Sequence, residues 1–136
     1  MGKILAIDYG VKRTGLAVTD DMKMIAFGLT TVSTTEIFAY LLDYIKKENV
    51  DTFVVGEPKQ MDNTASESEV LIKPFLKKLE ELFPKVPIKR HDERFTSKMA
   101  FQTMLDSGLN KKQRKNKALI DEISATIILQ DFLKTL

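Results

Sequence analysis

Along the 136-residue chain the spacing of apolar and polar positions changes several times, and each change marks an element. Residues 4–7 and 16–18 are short apolar runs separated by a polar stretch containing Gly10 and Gly15, the pattern of two strands in a hairpin. A third strand is expected over residues 24–32. Thr34 or Thr35 is then placed to cap a helix in which Ile37, Phe38, Leu41, Leu42 and Ile45 recur at helical spacing, ending near Asn49. The segment DTFVV, residues 51–55, reads as a short buried strand broken by Gly56 and Pro58, and a polar loop, KQMDNTASES, follows it. A second helix is expected over residues 66–83, ended by Pro84 and Pro87, after which IKRHDERF reads as a strand. Thr96 or Ser97 would cap a third helix running to Leu105, Gly108 would close it, and a last helix should begin near Ala118.

This order of elements predicts an α/β fold. One mixed five-stranded sheet would begin as a meander and continue with parallel strands, with helices on both faces. No internal repeat or linker divides the sequence, and its length suits a single domain over residues 1–136. Apolar residues at 43% and charged residues at 29% exclude a disordered or low-complexity chain. There is no cysteine, which removes disulfide frameworks, thiolate nucleophiles and cysteine-based zinc sites. No apolar run approaches the roughly 20 residues that span a bilayer, and strand-like sequence from Lys3 leaves no room for a signal peptide. A cytoplasmic protein with no membrane partner is therefore expected. The net charge is only +2, so attraction to nucleic acid would have to come from local clusters.

In sheets with helical crossovers, ligands collect beyond the carboxyl ends of the parallel strands. Acids gather there: Asp8 ends the first strand, Glu57 the DTFVV strand, and Asp92 with Glu93 the IKRH strand. For any one of them, a strand terminus emerging into solvent is an equally good explanation. Asp8 stands out because Ile4, Ala6 and Asp8 alternate onto one face of a strand that otherwise reads as buried, where a carboxylate needs a cation or donors. In the last helix Asp121 shares a stripe with Ala125, Ile128, Leu129 and Phe132, and Ser124 and Ala125 are small enough to let this end approach the sheet. The alternative for Asp121 is favourable placement near a helix N-terminus, worth less than about 1 kcal/mol. Converging carboxylates without cysteine form an oxygen-only ligand set, suited to Mg²⁺ or Mn²⁺. Two such ions would activate water and stabilise the leaving oxygen of a phosphodiester.

Gly10 allows close backbone approach, and Lys12 and Arg13 beside it are candidate phosphate partners. Lys111, Lys112, Arg114, Lys115 and Lys117, together with Lys89, Arg90, Arg94 and Lys98, could track a phosphate backbone or simply be solvated loop charges. His91 is the only histidine, and a packing or supporting role suits it better than that of general base.

Taken in order, AIDYGVKRTGLAVTD, VVGEPKQMDNTASE, HDERFTS and DEISATIIL resemble the motifs of the YqgF family, also called RuvX, over nearly the whole chain. The resemblance implies a ribonuclease H-like fold similar to that of the RuvC Holliday junction resolvases. It also implies a nuclease that processes the 5′ end of pre-16S ribosomal RNA. The family's acidic residues fall here on Asp8, Glu93 and Asp121, the implied ligands of Mg²⁺ or Mn²⁺, with Asp92 or Glu57 as auxiliaries and Gly10, Lys12, Arg13 and Arg94 on phosphate. Precursor rRNA or branched DNA would be the nucleic-acid partner, ribosomal particles a further one, and the chain a monomer or weak homodimer. Two positions depart from the family pattern: Glu57 replaces a leucine and Asn63 a glycine. Asn tolerates positive φ, so the loop turn can survive, and Glu57 adds an acid beside the first strand. Three other readings remain: a resolvase-like DNA nuclease, a ribosome-assembly or nucleic-acid binding module with little catalysis, and a sugar kinase or actin-like ATPase. The last of these needs a second such domain.

Overall fold

The computed structural model describes residues 2–57, 68–92, 102, 108 and 116–136. Strands β1 (Lys3–Asp8), β2 (Arg13–Thr19) and β3 (Ala26–Ser33) form the meander. A single 3₁₀ turn, Thr34–Glu36, leads into α1 (Ile37–Lys47), and β4 (Val50–Glu57), α2 (Ser68–Leu82), β5 (Ile88–Asp92) and α3 (Lys117–Leu133) follow. The sheet order is β3-β2-β1-β4-β5. Pairing is antiparallel within the meander and parallel from β1 to β4 and from β4 to β5, so the mixed five-stranded sheet expected from the sequence is present.

Two boundaries differ from expectation for identifiable reasons. Gly56 does not break β4, because its backbone stays in register with His91 of β5 and the strand runs on to Glu57. Thr34 does not cap α1: it opens the 3₁₀ turn, and its hydroxyl donates to the Gly10 carbonyl at 2.6 Å instead. Of the helix expected between residues 97 and 105 only Gln102 is among the described residues, and it is helical.

Side chains of β1 alternate between two cores. Leu5 and Ile7 join Leu16, Phe53 and Val55 beneath Ile37 and Leu41 of α1 and Ile72, Phe75 and Leu79 of α2. Ile4 and Ala6 join Ala17 and Val54 beneath Ala125, Ile128 and Leu129 of α3. Helices thus cover both faces, and each fully buried Leu or Ile contributes about 1.5–3 kcal/mol.

The first turn of α3 lies directly on the meander. Asn116 caps it, its side-chain oxygen accepting from the Leu119 amide at 3.2 Å. Thr31 of β3 donates its hydroxyl to the Ala118 carbonyl at 2.6 Å. Gly15 and Gly28 make the approach possible: a Cβ on Gly15 would land on the Asp121 carbonyl oxygen, and one on Gly28 on the Glu122 carboxylate. Among the described residues no helix is long and apolar enough to cross a membrane.

Candidate active site

Asp8 is the last residue of β1, and the pleat decides where it points. Ile4 and Ala6 face α3, so by alternation Asp8 continues the α3 face. Tyr9, one residue on, turns to the other side and stacks on Phe75 of α2 at 4.4 Å between ring centres. Across the antiparallel ladder Asp8 is paired with Gly15, and partners in such a pair present their side chains to the same face, with Cα atoms roughly 4.5–5.5 Å apart. Asp121 rests its main chain on Gly15. The carboxylates of the first strand and the last helix therefore occupy one face at one end of the sheet, with a glycine as the seat between them.

Arg13 joins them. It opens β2, and its Nε donates to Asp121 Oδ2 at 2.9 Å. The loop before it is held by Thr34, whose hydroxyl donates to the Gly10 carbonyl and whose amide donates to the Lys12 carbonyl at 3.0 Å. Since the single hydroxyl proton of Thr34 goes to Gly10, the 2.9 Å contact between the Thr14 and Thr34 hydroxyls has Thr14 as its donor. A Cβ on Gly10 would collide with the Arg13 carbonyl oxygen. Only glycine therefore fits this turn, which leaves Lys12 exposed at its tip.

Glu57 and Asp92, at the ends of β4 and β5, follow the other parity. Val54 of β4 faces α3 and Val55 faces α2, so Glu57, two residues beyond Val55, is on the α2 side. Its Oε2 is 4.0 Å from Arg90 Nη1. Asp92 is the ladder partner of Glu57 and shares its side. By strand parity both acids expected as auxiliaries project to the α2 side, the face opposite that of Asp8. Arg90 is not a phosphate tracker. Its guanidinium grips Glu69 of α2 at 2.7 and 3.0 Å and donates to the Val55 and Gly56 carbonyls at 3.2 and 3.0 Å. His91 points to α3, where its Nε2 is 2.6 Å from Asp131 Oδ2 and its ring meets Phe132 edge-on, in keeping with a packing role. Glu93, Arg94, Lys111, Lys112, Arg114 and Lys115 lie outside the described residues.

A family model described as RuvX, Holliday junction resolvase, matches residues 2–135. The chain belongs to the RuvX family. It is 62% identical over 133 residues to a protein of Christiangramia forsetii named "Putative pre-16S rRNA nuclease", a match covering 98% of each chain. A Bacteroides fragilis protein of the same name is 54% identical over 135 residues, covering 99% of this chain and 98% of its own. Among solved structures, RuvC of Thermus thermophilus in complex with a Holliday junction substrate superposes with a TM-score of 0.56 at 18% identity, covering 99% of this chain and 95% of the other. That likeness gives the fold, which is ribonuclease H-like. As a member of a nuclease family, this RuvX chain is a hydrolase acting on ester bonds.

Whether its residues suit a divalent cation can be judged from the donors. Asp8 and Asp121 supply only carboxylate oxygens, the ligands preferred by hard ions, and they share one face at the Gly15 seat. Among the described residues no group of three or more such ligands is assembled; Mg²⁺ is commonly held by one or two carboxylates with water completing its shell, so two acids fit such an ion. The sequence left two features unread. Gly15 sits inside an apolar strand, and an isolated glycine there signals close backbone approach. The bond from Arg13 to Asp121 spans 108 residues of chain, and nothing local to either residue announces it.

Proposed function

We propose that this RuvX member is a divalent-metal-dependent nuclease, a single catalytic domain that processes the 5′ end of pre-16S rRNA, with Asp8, Glu93 and Asp121 as the ion ligands. The observation that supports the reading is that Asp8 pairs with Gly15 and the Asp121 main chain rests on the same Gly15, so that two acids suited to a hard ion lie at one end of the sheet. Glu93 follows Asp92, the last described residue of β5, by one position, and is the nearest acid in sequence that can complete the set. A bound Mg²⁺ or Mn²⁺ would supply an activated water and charge stabilisation for the leaving oxygen.

The chain's own residues would do the rest. Lys12, at the tip of a turn fixed by Thr34, holds a phosphate of the substrate backbone, and Arg13 and Arg94 reach the adjacent phosphates. Lys111, Lys112, Arg114 and Lys115 add backbone affinity without sequence preference. The rRNA substrate rests on relatives of that name at 54–62% identity over nearly the full chain, and precursor ribosomal particles are the form in which such RNA would be met. The family description favours a second reading, cleavage of four-way DNA junctions.

A side-by-side assay decides between them. A precursor rRNA leader and a four-way DNA junction are incubated with the protein, with and without Mn²⁺, alongside Asp8→Asn and Asp121→Asn. The proposal expects Mn²⁺-dependent cleavage of the RNA that both variants lose. Preferential cutting of the junction would establish the second reading, and binding without cleavage that survives both substitutions would refute both.

A further inference from the structure

Arg13 occupies one oxygen of a carboxylate that the proposed ion would need. Its Nε is on Asp121 Oδ2 at 2.9 Å, through a single contact. The two side chains are 38% and 25% exposed, so water reaches the pair and neither group is locked by burial. The backbone beneath Arg13 is fixed: it is paired with Ser33 across β2 and β3, and its carbonyl oxygen lies where any Cβ on Gly10 would fall. Asp121 is equally fixed, because its main chain is seated on Gly15. The two main chains are thus held in place, and of the two side chains the longer and more exposed guanidinium has the greater freedom to move. Rotation of one exposed long side chain is a picosecond-to-nanosecond event that requires no rearrangement of the sheet.

We infer that Arg13 and the divalent cation compete for Asp121, so that Arg13 is a resident counter-ion which sets the ion affinity of the site and moves to the substrate when the ion enters. The inference rests on the metal-dependent reading above. Arg13 holds Oδ2 and leaves Oδ1, but a divalent cation on either oxygen of this carboxylate would lie within a few ångströms of the guanidinium, where like charges repel. Once displaced, the guanidinium stays tethered at the edge of the site, where its fork of donors suits a phosphate. Ion entry would thereby ready the arginine for substrate. Bound substrate would in turn disfavour its return to Asp121, so ion and substrate should strengthen each other's binding, reciprocally as linkage requires.

The test measures ion binding directly. Mn²⁺ affinity is determined by calorimetry and by electron paramagnetic resonance for the unaltered chain, Arg13→Gln, Arg13→Lys, Asp8→Asn and Asp121→Asn. The Nε–H resonance of Arg13 is followed by NMR during a Mg²⁺ titration of the unaltered chain. Removing the competitor should tighten Mn²⁺ binding in Arg13→Gln by about two- to fivefold, the size set by a partly exposed ion pair. Arg13→Lys should fall between, and the Nε–H signal should shift towards that of a solvent-exposed arginine as Mg²⁺ is added. If Mn²⁺ binding depends on Asp8 and Asp121 but is unchanged or weaker in Arg13→Gln, or if the Nε–H signal does not move, the competition is overturned while the metal site stands. If Mn²⁺ does not bind, or binds equally well to Asp8→Asn and Asp121→Asn, the metal-site reading fails and the competition fails with it.

Discussion

Two charged pairs in this chain look alike in a list of contacts and differ in what they do. Arg13 and Asp121 meet through one bond in a place that water reaches, where such a pair contributes no more than about 1 kcal/mol. Asp121→Asn should therefore unfold within about 1 kcal/mol of the unaltered chain in urea while cleavage is lost, a combination that separates a functional acid from a structural one. Arg90 and Glu69 form the opposite case. Glu69 is 8% exposed and takes two bonds from a guanidinium that also serves two β4 carbonyls. Glu69→Gln replaces one acceptor by a donor facing Arg90 and should cost about 1–3 kcal/mol, read as a lower urea midpoint. The sequence made Asp8 legible because Ile4, Ala6 and Asp8 alternate at period two. It could not assign Arg90, whose partner Glu69 lies on a helix 21 residues earlier, so its charge read as one more in a basic group.

The seat of α3 on the meander makes a sharper demand than any single contact. Gly15→Ala would drive a methyl group into the Asp121 carbonyl oxygen, a main-chain atom that can yield only if the helix shifts. A destabilisation of about 1–3 kcal/mol is expected from such overpacking, together with a loss of activity larger than the stability change explains. Cleavage assayed well below the melting temperature checks the second part. The turn between β2 and β3 gives a pH-dependent case. Asp20 accepts from the Ile25 and Met24 amides at 2.9 and 2.8 Å, and these bonds, that of Ile25 first, hold its carboxyl below the usual carboxylate range. A depressed folded value means that the stabilisation is present above the unfolded value near 3.9 and fades as pH falls through the folded one. Asp20→Ala should thus be less stable than the unaltered chain near neutrality, with the gap closing in acid, as urea midpoints at about pH 7 and about pH 2 would show. The described helices and strands were legible from periodicity, but the side that Glu57 faces was not. The β1–β4 register shifts between Lys3 and Ile4, and a one-residue shift in pairing exchanges the faces of every residue beyond it. No local pattern encodes that shift.

Taken whole, the molecule has a net charge of +2, too small for steering by its overall field, so affinity for nucleic acid must come from where the cations lie. Neutralising Lys111, Lys112, Arg114 and Lys115 together should flatten the slope of log affinity against log salt by roughly two to three units for RNA and DNA alike. Turnover on saturating substrate should change little. An unchanged slope would assign the phosphate path to Lys12, Arg13 and Arg94 instead. The seating of the last helix on the first hairpin also bears on the order of assembly. β1, β2 and β3 are sequence neighbours and can pair early, but Asp121 reaches Gly15 and Arg13 only by closing a loop of more than a hundred residues, a step whose entropic cost is met late in folding. A half-folded copy would have the hairpin that carries Asp8 but not the helix that carries Asp121. On the reading in which Asp8 and Asp121 share the cutting centre, that centre would exist only once the two ends of the fold have met, and an immature chain would be unable to cut the RNA around it.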